Sequence, residues 1–501
     1  MNVFLKFVHN CKAYSSSTEK KTFPYKSARF YAFAVLSIVF FFDCSYASLH
    51  KKWNRISHRY EPAIVAIEID VLLPLFSEKP GLARGTGLVI DASKGLIVVN
   101  QQVSRFGKIS QAQAKFFNEQ IVPIKLVYQD PWHDFAVFQY EVELVSFSIP
   151  KITFQDSRTI AENQNILALS HDWNQGISLV EGKVKNPFTV HAENKIGRYS
   201  ESIDTGGSLS GALLGSPIFT QKGKVIAFHC HDSNKESIAI SSLYVRDVLT
   251  YLPHKTPPRG DMGISLDIEN VFRAEEFYAL SPLYVPKDSI GKPTHPFVIK
   301  MTRCISSQPT CQKLLPGDIL LAVRSLMGPW KNIGQQVYDF DRWMDQHVGQ
   351  NIEIKISRMG KEMVYSIPIV DAYKNIPKKF MTFAGATFHE LTPTLQMIYD
   401  IKKSEGIYIS DTLQGSSFGN STMYGKLLEK FSGLSIDSFD DLKSIFIQQK
   451  NHSKTYIETI DYYYTSTVPS IQYIDLEIER FPLTLYVWDS LQGNYILKDK
   501  V

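Results

Sequence analysis

The stretch that decides the fold is "SLSGALLGSPIF", residues 208–219. Gly211 and Gly215 lie four residues apart and frame a turn, and the apolar residues that follow are typical of a strand. A glycine-rich turn presents backbone N–H groups to whatever lies in front of it. The centre of this turn is the pair Leu213 and Leu214, so we expect its open side to be apolar.

Short apolar runs extend in both directions from this turn, from Ala63 to about Leu252. Gly, Asp, Asn and Lys turns separate them, as in "AIVAIEIDV" (63–71), "GLIVVN" (95–100), "NILALS" (165–170) and "GKVIAFHC" (223–230). Many short strands at regular spacing favour a barrel or a sandwich over alternating β-α units. Helical periodicity begins only with "ISSLYVRDVLTYL", residues 240–252.

Two polar breaks divide the rest of the chain. The first is the Pro-rich "PHKTPPRGD" (253–261), and the second lies near "DAYKNIPKK" (371–379). Each break is followed by about 100 residues with strands, a helix ("YDFDRWMDQHV", then "FDDLKSIFIQQ") and further strands, which indicates tandem modules. In the first, "NIEIKISRMGKEMVYSIPIV" predicts a hairpin that turns at Met359–Gly360. The predicted domains are residues 55–254, 262–371 and 378–490.

The N-terminus predicts an export signal over residues 1–47. Residues 1–29 are basic with Glu19 as their only acid, residues 30–42 are uncharged and apolar, and Ser45 and Ala47 suit a cleavage site. We therefore expect a secreted or periplasmic protein. The alternatives are an uncleaved anchor formed by residues 30–42, which faces the periplasm or a lumen, and a mitochondrial presequence that leads to the intermembrane space.

Net charge and the spacing of histidines and cysteines bear on whether the chain binds nucleic acid or metal and whether it contains a disulfide. A net charge of +4 on 501 residues gives no reason to expect a nucleic-acid partner. The histidines and cysteines have no metal-ligand spacing except in "HCHD" (229–232), where a histidine pair on one strand face is the plainer interpretation, so we expect no metal and no cofactor. Cys304 and Cys311 are seven residues apart, and they either form a disulfide or stay reduced.

Three blocks of the first domain together resemble the catalytic blocks of the HtrA/Deg family. They are "GTGLVIDASKGLIVVNQQV" (85–103), "DPWHDFAVFQY" (130–140) and "SGALLGSPIFTQKGKVIAF" (210–228). "LLPGDILLAV" (314–323) resembles the core strand of an HtrA-type PDZ domain. "FAGATFHEL", "GIYIS" and "IERFPL" are similar to the degenerate C-terminal half of the large fungal and plant Deg-type proteases. The resemblance implies a mainly β chain: a trypsin-like double β-barrel followed by two PDZ-like α+β domains.

The resemblance also locates the catalytic positions. The family's histidine position is Gln102, its aspartate position is Asp134, and its serine position is Leu214. An amide is not a useful base near neutral pH, and a leucine has no hydroxyl to activate, so the covalent route is lost. We therefore expect a pseudoprotease that acts in protein quality control as a chaperone, adaptor or scaffold. The alternatives are an active endopeptidase with Ser216 as a relocated nucleophile, and a structural subunit of an active HtrA protease.

The PDZ-like domains carry the predicted binding activity, because such a domain adds a peptide to a sheet edge and holds its carboxylate by loop amides. The expected ligands are peptides or unfolded proteins. The resemblance further allows a homotrimer or an assembly with an active HtrA protease. The peptide-binding residues that this interpretation implies are Met262, Gly263, Ile264, Ser265, Trp343 and Met344 in the first domain, and Phe383, Ala384, Gly385 and Ala386 in the second.

Overall fold

A computed structural model describes residues 49–191, 199–232, 237–285, 297–333, 337–419, 423–462 and 468–500. The chain forms two units, Met1–Arg55 and Ile56–Val501. Residues 49–60 are helical. Within the described ranges, no helix is long and apolar enough to cross a bilayer. The export signal, the anchor and the presequence predicted for residues 1–47 lie outside the described residues.

The first sheet contains the strand predicted at 63–71. Its order is β5-β4-β1-β2-β3-β7-β6. The central strands are buried on both faces along much of their length, and β3 is buried throughout. Gly87 of β2 is close-packed, since a Cβ there would lie 2.8 Å from Ile97 and 2.9 Å from Ile67. The bounds are β1 Ile64–Pro74, β2 Gly81–Asp91, β3 Leu96–Asn100, β4 Gly107–Lys115, β5 Ile121–Pro123, β6 Lys125–Gln129 and β7 Phe135–Gln139, with helix α1 (Gln101–Ser104) after β3.

The second sheet contains the strand that follows the glycine turn. Its order is β10-β11-β14-β13-β12-β8-β9, so β10 and β9 are its edges. Apolar residues of β8, β12, β13 and β14 pack together in one core. The bounds are β8 Asn165–Asp172, β9 Gly176–Lys183, β10 Asn186–His191, β11 Ser200–Asp204, β12 Pro217–Thr220, β13 Val225–Asp232 and β14 Ser237–Ser241, with helix α2 (Ser242–Val248) after β14.

The third sheet follows the first polar break and has the order β16-β17-β18-β20-β21. The hairpin predicted at Met359–Gly360 is confirmed, with both turn residues left-handed at φ 48° and 78°. The bounds are β15 Gly260–Asp261, β16 Ile264–Asn270, β17 Phe297–Cys304, β18 Ile319–Ser325, β19 Lys331–Asn332, β20 Asn351–Arg358, β21 Lys361–Pro368 and β22 Val370–Asp371, with helices α3 (Val271–Tyr278) and α4 (Val337–Asp345).

The fourth sheet repeats this order and extends it. The run β24-β25-β26-β28-β29 matches β16-β17-β18-β20-β21, but strands β23, β30 and β31 continue the sheet beyond β24. The bounds are β23 Lys379–Phe383, β24 Ala386–Glu390, β25 Ile407–Thr412, β26 Lys426–Phe431, β27 Leu434–Ser435, β28 Lys454–Ile460, β29 Ser470–Asp475, β30 Thr484–Asp489 and β31 Asn494–Lys500, with helices α5 (Pro393–Tyr399) and α6 (Phe439–Ile447).

This architecture confirms the predicted fold class, a trypsin-like double β-barrel followed by two PDZ-like α+β domains. The three predicted helices also form, although each is shorter than its apolar pattern. The helix predicted at 240–252 ends at Val248, because residues 249–254 form turns before the polar break. The numerical domain limits stay predictions, since residues 56–501 form one compact unit.

Candidate functional site

The end of β3 presents the first of the three catalytic positions. Asn100 caps helix α1, its side chain accepting a hydrogen bond from the Gln102 N–H at 2.8 Å. The Gln102 side chain is exposed and donates from Nε2 to the Cys230 carbonyl at 3.2 Å. A side chain fixed in this way acts as a hydrogen-bond donor that braces the two sheets, and it offers no base.

Asp134 is the family residue that the chain keeps, but its partner differs from a catalytic base. Its Oδ2 accepts a hydrogen bond from Asn100 Nδ2 at 2.7 Å, and its carbonyl accepts one from the Gln101 N–H at 3.4 Å. These contacts fix the corner between β3 and α1. We interpret Asp134 as a structural residue at this corner.

The turn at the serine position is held against the first sheet. Leu214 is half-buried, and its carbonyl accepts a hydrogen bond from the Thr86 N–H at 2.8 Å. Gly215 has φ 85°, and a Cβ at this position would lie 2.1 Å from the Thr86 carbonyl oxygen. The approach of the two backbones therefore requires glycine here, and Leu213 and Leu214 precede it in the turn, where the resemblance expects the family's serine.

Ser216, the alternative nucleophile, lies inside the second sheet. Its side chain is 0% exposed, and its Oγ is 2.7 Å from Ser170 Oγ. Ser170 Oγ also accepts a hydrogen bond from the Leu213 N–H at 3.1 Å. A hydroxyl that is buried and bonded to another hydroxyl has neither a base nor access to substrate, so the geometry gives no support to Ser216 as a nucleophile.

A buried His–Ser pair lies elsewhere in the molecule and was not apparent from the sequence. His133 Nδ1 is 2.8 Å from Ser200 Oγ, and the imidazole stacks on Tyr244 with ring centres 3.7 Å apart. The His133 side chain is 1% exposed. The pair is 67 residues apart in sequence, so no local motif could have identified it. Its burial excludes a peptide substrate.

The predicted carboxylate loop of the first PDZ-like domain is packed into the core. Gly263 is left-handed, donates its N–H to Asp261 Oδ1 at 2.5 Å and accepts from the Ile305 N–H at 2.8 Å. The predicted groove residue Trp343 is half-buried and stacks on His347 at 4.1 Å. The other predicted residues of this site are buried and belong to the core or its edge: Met262, Ile264, Ser265 and Met344.

Strand β10 of the second sheet lies beside β16, the edge strand of the third sheet, and β11 lies beside helix α4. Phe188 and Val190 of β10 pack on the core that includes Ile264 and Met344. The chain thus brings the predicted groove residues together, and its own strand covers the groove between β16 and α4.

The predicted loop of the second PDZ-like domain is a tight hairpin turn. Ala384 and Gly385 are left-handed, at φ 48° and 85°, and strand β23 pairs with β24 along the edge that a peptide would use. The Ala384 N–H donates to the Phe481 carbonyl at 2.9 Å. Phe383 stacks on Phe446 of helix α6 at 4.0 Å, and Ala386 is buried. The chain itself thus pairs with this sheet edge, and the assignment of these four residues to peptide binding stays a prediction.

The cysteine alternative is decided by geometry: Cys304 and Cys311 form a disulfide, with Cα atoms 5.4 Å apart. Among the described residues, no group of three or more His, Cys, Asp or Glu side chains is placed to hold a metal ion.

Comparisons with known proteins identify several that are similar to this chain. The model of a trypsin-like peptidase domain matches residues 85–228. The chain is 23% identical to Protease Do-like 7 of Arabidopsis thaliana over 361 residues, which is 68% of the chain and 32% of that protein. It is 21% identical to the pro-apoptotic serine protease NMA111 of Saccharomyces cerevisiae (strain ATCC 204508 / S288c) over 441 residues, which is 85% of the chain and 42% of that protein.

The chain thus spans less than half the length of these curated relatives. Among solved structures, the HtrA-type protease AlgW with tripeptide is similar, at 18% identity and a TM-score of 0.44. That similarity covers 64% of this chain and 97% of the other. The domain match and these curated relatives support an assignment of the chain to the HtrA/Deg family.

Proposed function

We propose that this chain is a catalytically inactive member of its family that binds unfolded protein segments as an adaptor or scaffold. The observation that supports the proposal is the set of contacts at the catalytic positions. Gln102 donates its amide to the Cys230 carbonyl, Asp134 accepts from Asn100, and Leu214 has no hydroxyl. Acyl transfer to a protein nucleophile needs an activated hydroxyl or thiol beside a base, and these positions supply neither.

The binding part of the proposal is supported by the turn that replaces the nucleophile. Leu213 and Leu214 are half-buried at the family's serine position, and Gln102, at its histidine position, is exposed. An apolar surface beside a few polar groups suits an extended apolar segment that is held without being cleaved. The two PDZ-like edges are less suited to this role, because β10 covers one and β23 pairs with the other.

The proposed lack of proteolytic activity is tested by incubating the purified protein with reduced, carboxymethylated α-lactalbumin. Trypsin is the positive control. We expect no cleavage by the native chain or by Ser216→Ala, and no labelling of the native chain by a fluorophosphonate. Cleavage that Ser216→Ala abolishes would overturn the proposal and establish the relocated nucleophile. Cleavage by both proteins together with fluorophosphonate labelling would overturn it through a different serine.

The binding part is tested with the same unfolded substrate by fluorescence anisotropy. We expect the double variant Leu213→Gln/Leu214→Gln to weaken binding at least about fivefold, since each buried apolar side chain contributes on the order of 1–2 kcal/mol. The matched control is Leu179→Gln on the edge strand β9, a leucine that is 39% exposed. Equal affinity for the native chain and the double variant would place the binding surface elsewhere.

A further inference from the structure

Helix α4 of the first PDZ-like domain meets the second sheet through an unusual set of buried acids. We define the acid cluster as Asp130, Glu201, Asp341 and Asp345. All four side chains are buried, and they come from the end of β6, from β11 and from α4. Buried carboxylates are costly unless each is paired, so the partners of each one decide how this interface behaves.

Arg259, in the polar break, pairs with two members of the cluster. Its Nε donates to Asp130 Oδ2 at 2.9 Å, and its Nη1 donates to Asp345 Oδ2 at 2.8 Å. Asp345 also accepts a hydrogen bond from the Gly260 N–H at 2.9 Å. The guanidinium is 3% exposed, and its charge is engaged by these two carboxylates.

Glu201 and Asp341 have neutral partners instead. Glu201 Oε2 accepts a hydrogen bond from the Tyr338 N–H at 3.1 Å, and Asp341 Oδ2 accepts one from the Tyr244 hydroxyl at 2.7 Å. Among the described residues, neither Glu201 Oε1 nor Asp341 Oδ1 finds a hydrogen-bond partner. A carboxyl in such a place is more stable with its proton than without it.

The surroundings of Glu201 and Asp341 also favour the protonated form of each carboxyl group. Burial raises the pKa of Glu201 to about 7, although the Tyr338 N–H and Arg158 oppose the shift. Burial also raises the pKa of Asp341 well above its ordinary value, and the nearby charges of Asp345 and Glu201 add to the rise. The other titratable or charged groups that face this interface are Tyr128, His133, Asp156, Arg158, Tyr244, Arg246, Asp247, Arg259, Tyr338, Asp339 and Arg342.

We propose that the contact between helix α4 and the second sheet is a proton-dependent lock, held while Glu201 and Asp341 are protonated and released as they ionise. Release uncovers the groove between β16 and α4, which Phe188 and Val190 of β10 cover in the locked state. The first PDZ-like domain then becomes able to accept an extended apolar peptide. The lock acts beyond the proposed function, since it does not depend on whether the barrels cleave substrate.

The sign of the effect follows from linkage. A carboxyl with a higher pKa in the locked state than in the open state binds its proton more tightly when locked. The stabilisation is complete below the ordinary pKa of a glutamic acid and is lost as the pH rises through the raised pKa of Glu201, near 7. The lock is therefore closed in mildly acidic solution and opens above neutral pH.

Hydrogen–deuterium exchange of the full chain at pH 5.5 and pH 8.0 tests the lock, with each rate corrected for the pH dependence of chemical exchange. We expect the protection of residues 264–270 and 337–345 to fall about tenfold or more at pH 8.0, while the second-sheet strand β12 stays unchanged. Equal protection of residues 264–270 and 337–345 at both pH values would overturn the proposal.

Neutral isosteres identify the groups responsible. We expect Glu201→Gln and Asp341→Asn, separately and together, to reduce the pH dependence, because they keep the shape of the protonated acids and cannot ionise. The matched control is Glu276→Gln, an exposed glutamate on helix α3 of the same domain, which should keep the native pH dependence. A double variant that is folded by circular dichroism and retains the full pH dependence would contradict the lock.

Discussion

Arg259 is the residue on which the joint between the second sheet and the first PDZ-like domain most depends. Burial alone would raise the pKa of Asp130, but the adjacent guanidinium of Arg259 outweighs burial and holds that pKa below its ordinary value. The Arg259 side chain thus provides the positively charged partner of two buried carboxyl groups, those of Asp130 and Asp345. Nothing in "PHKTPPRGD" marks this role, because the carboxyls come from positions far away in sequence.

Replacing this cation should be strongly destabilising. We expect Arg259→Met to lower the free energy of unfolding by about 3–5 kcal/mol, since it leaves two buried carboxylates without their cation. Arg480→Met is the control, because this arginine has a side chain that is 66% exposed and an ion pair at the surface. Urea denaturation followed by circular dichroism measures both. A similar loss for the two variants would show that Asp130 and Asp345 do not depend on Arg259.

Ser216 is an equally clear case of a residue whose role is set by its neighbours. The sequence places it two residues after Leu214, where a relocated nucleophile could be imagined, but its hydroxyl lies in the sheet interior against Ser170. We expect Ser216→Ala to cost about 1–2 kcal/mol of stability, because it leaves the Ser170 hydroxyl with one partner fewer. Chemical denaturation measures this, and an increase in stability would contradict the hydrogen bond.

At the scale of the element, the glycine turn shows how two similar residues can carry different constraints. Gly211 and Gly215 both have left-handed backbone, at φ 99° and 85°. A Cβ at Gly211 would meet nothing within 4 Å, whereas a Cβ at Gly215 would lie 2.1 Å from the Thr86 carbonyl oxygen. The spacing of the glycines predicts the turn, but only the packed structure shows which of them touches the first sheet.

Substituting each of these two glycines by alanine gives two variants whose stabilities can be compared directly. We expect Gly211→Ala to cost about 1–2 kcal/mol through backbone strain alone. Gly215→Ala should cost about 1–3 kcal/mol more, because Leu214 and Thr86 must separate to make room for the methyl group. Denaturant midpoints of the two variants provide the comparison, and equal losses would show that the turn does not need the close approach to Thr86.

In the second PDZ-like domain, the local sequence does not distinguish a carboxylate-binding loop from a hairpin turn. "FAGATF" has the glycine that a carboxylate-binding loop would need, and it also suits a two-residue hairpin turn. The structure contains the hairpin, because β23 can pair with β24 on one side and with β30 on the other. The strand that decides the matter, β30, begins about 100 residues after the turn, so local pattern could not reveal it.

At the scale of the whole molecule, the chain uses its own strands to cover both of the sheet edges that were predicted to bind a peptide. Strand β10 covers the edge of β16, and β23 pairs with β24. An exposed sheet edge invites pairing with other chains, and covering it is a common protection. The two forms of cover differ in strength, because the second is a hydrogen-bonded ladder and the first is a packing contact with ionisable groups beside it.

The pH dependence of stability should reflect this joint. Because burial raises the pKa of Glu201 to about 7, its contribution to the free energy of unfolding is full below pH 4.5 and declines up to about pH 7. The loss is on the order of 3 kcal/mol. We expect Glu201→Gln to resemble the native chain at pH 5 and to exceed its urea midpoint at pH 8. A native chain that is the more stable of the two at pH 8 would contradict the raised pKa.

The sequence by itself determined the class and order of the parts. Alternation of apolar residues, glycine turns and the two polar breaks led to the mainly β fold, to the hairpin at Met359–Gly360 and to the placement of three helices. Turn chemistry and strand pattern are local properties that short stretches carry. The positions Gln102, Asp134 and Leu214 were instead assigned by the resemblance of three short blocks to a known family.

Only the tertiary structure decided what those parts present to one another. It buried Ser216 against Ser170, paired His133 with Ser200, and placed Glu201 beside helix α4. It also placed β10 and β23 over the two sheet edges that were predicted to bind a peptide. The physical reason is that burial, hydrogen-bond pairing and the pKa of a carboxyl depend on atoms brought together from distant parts of the chain, and a local pattern carries no record of them.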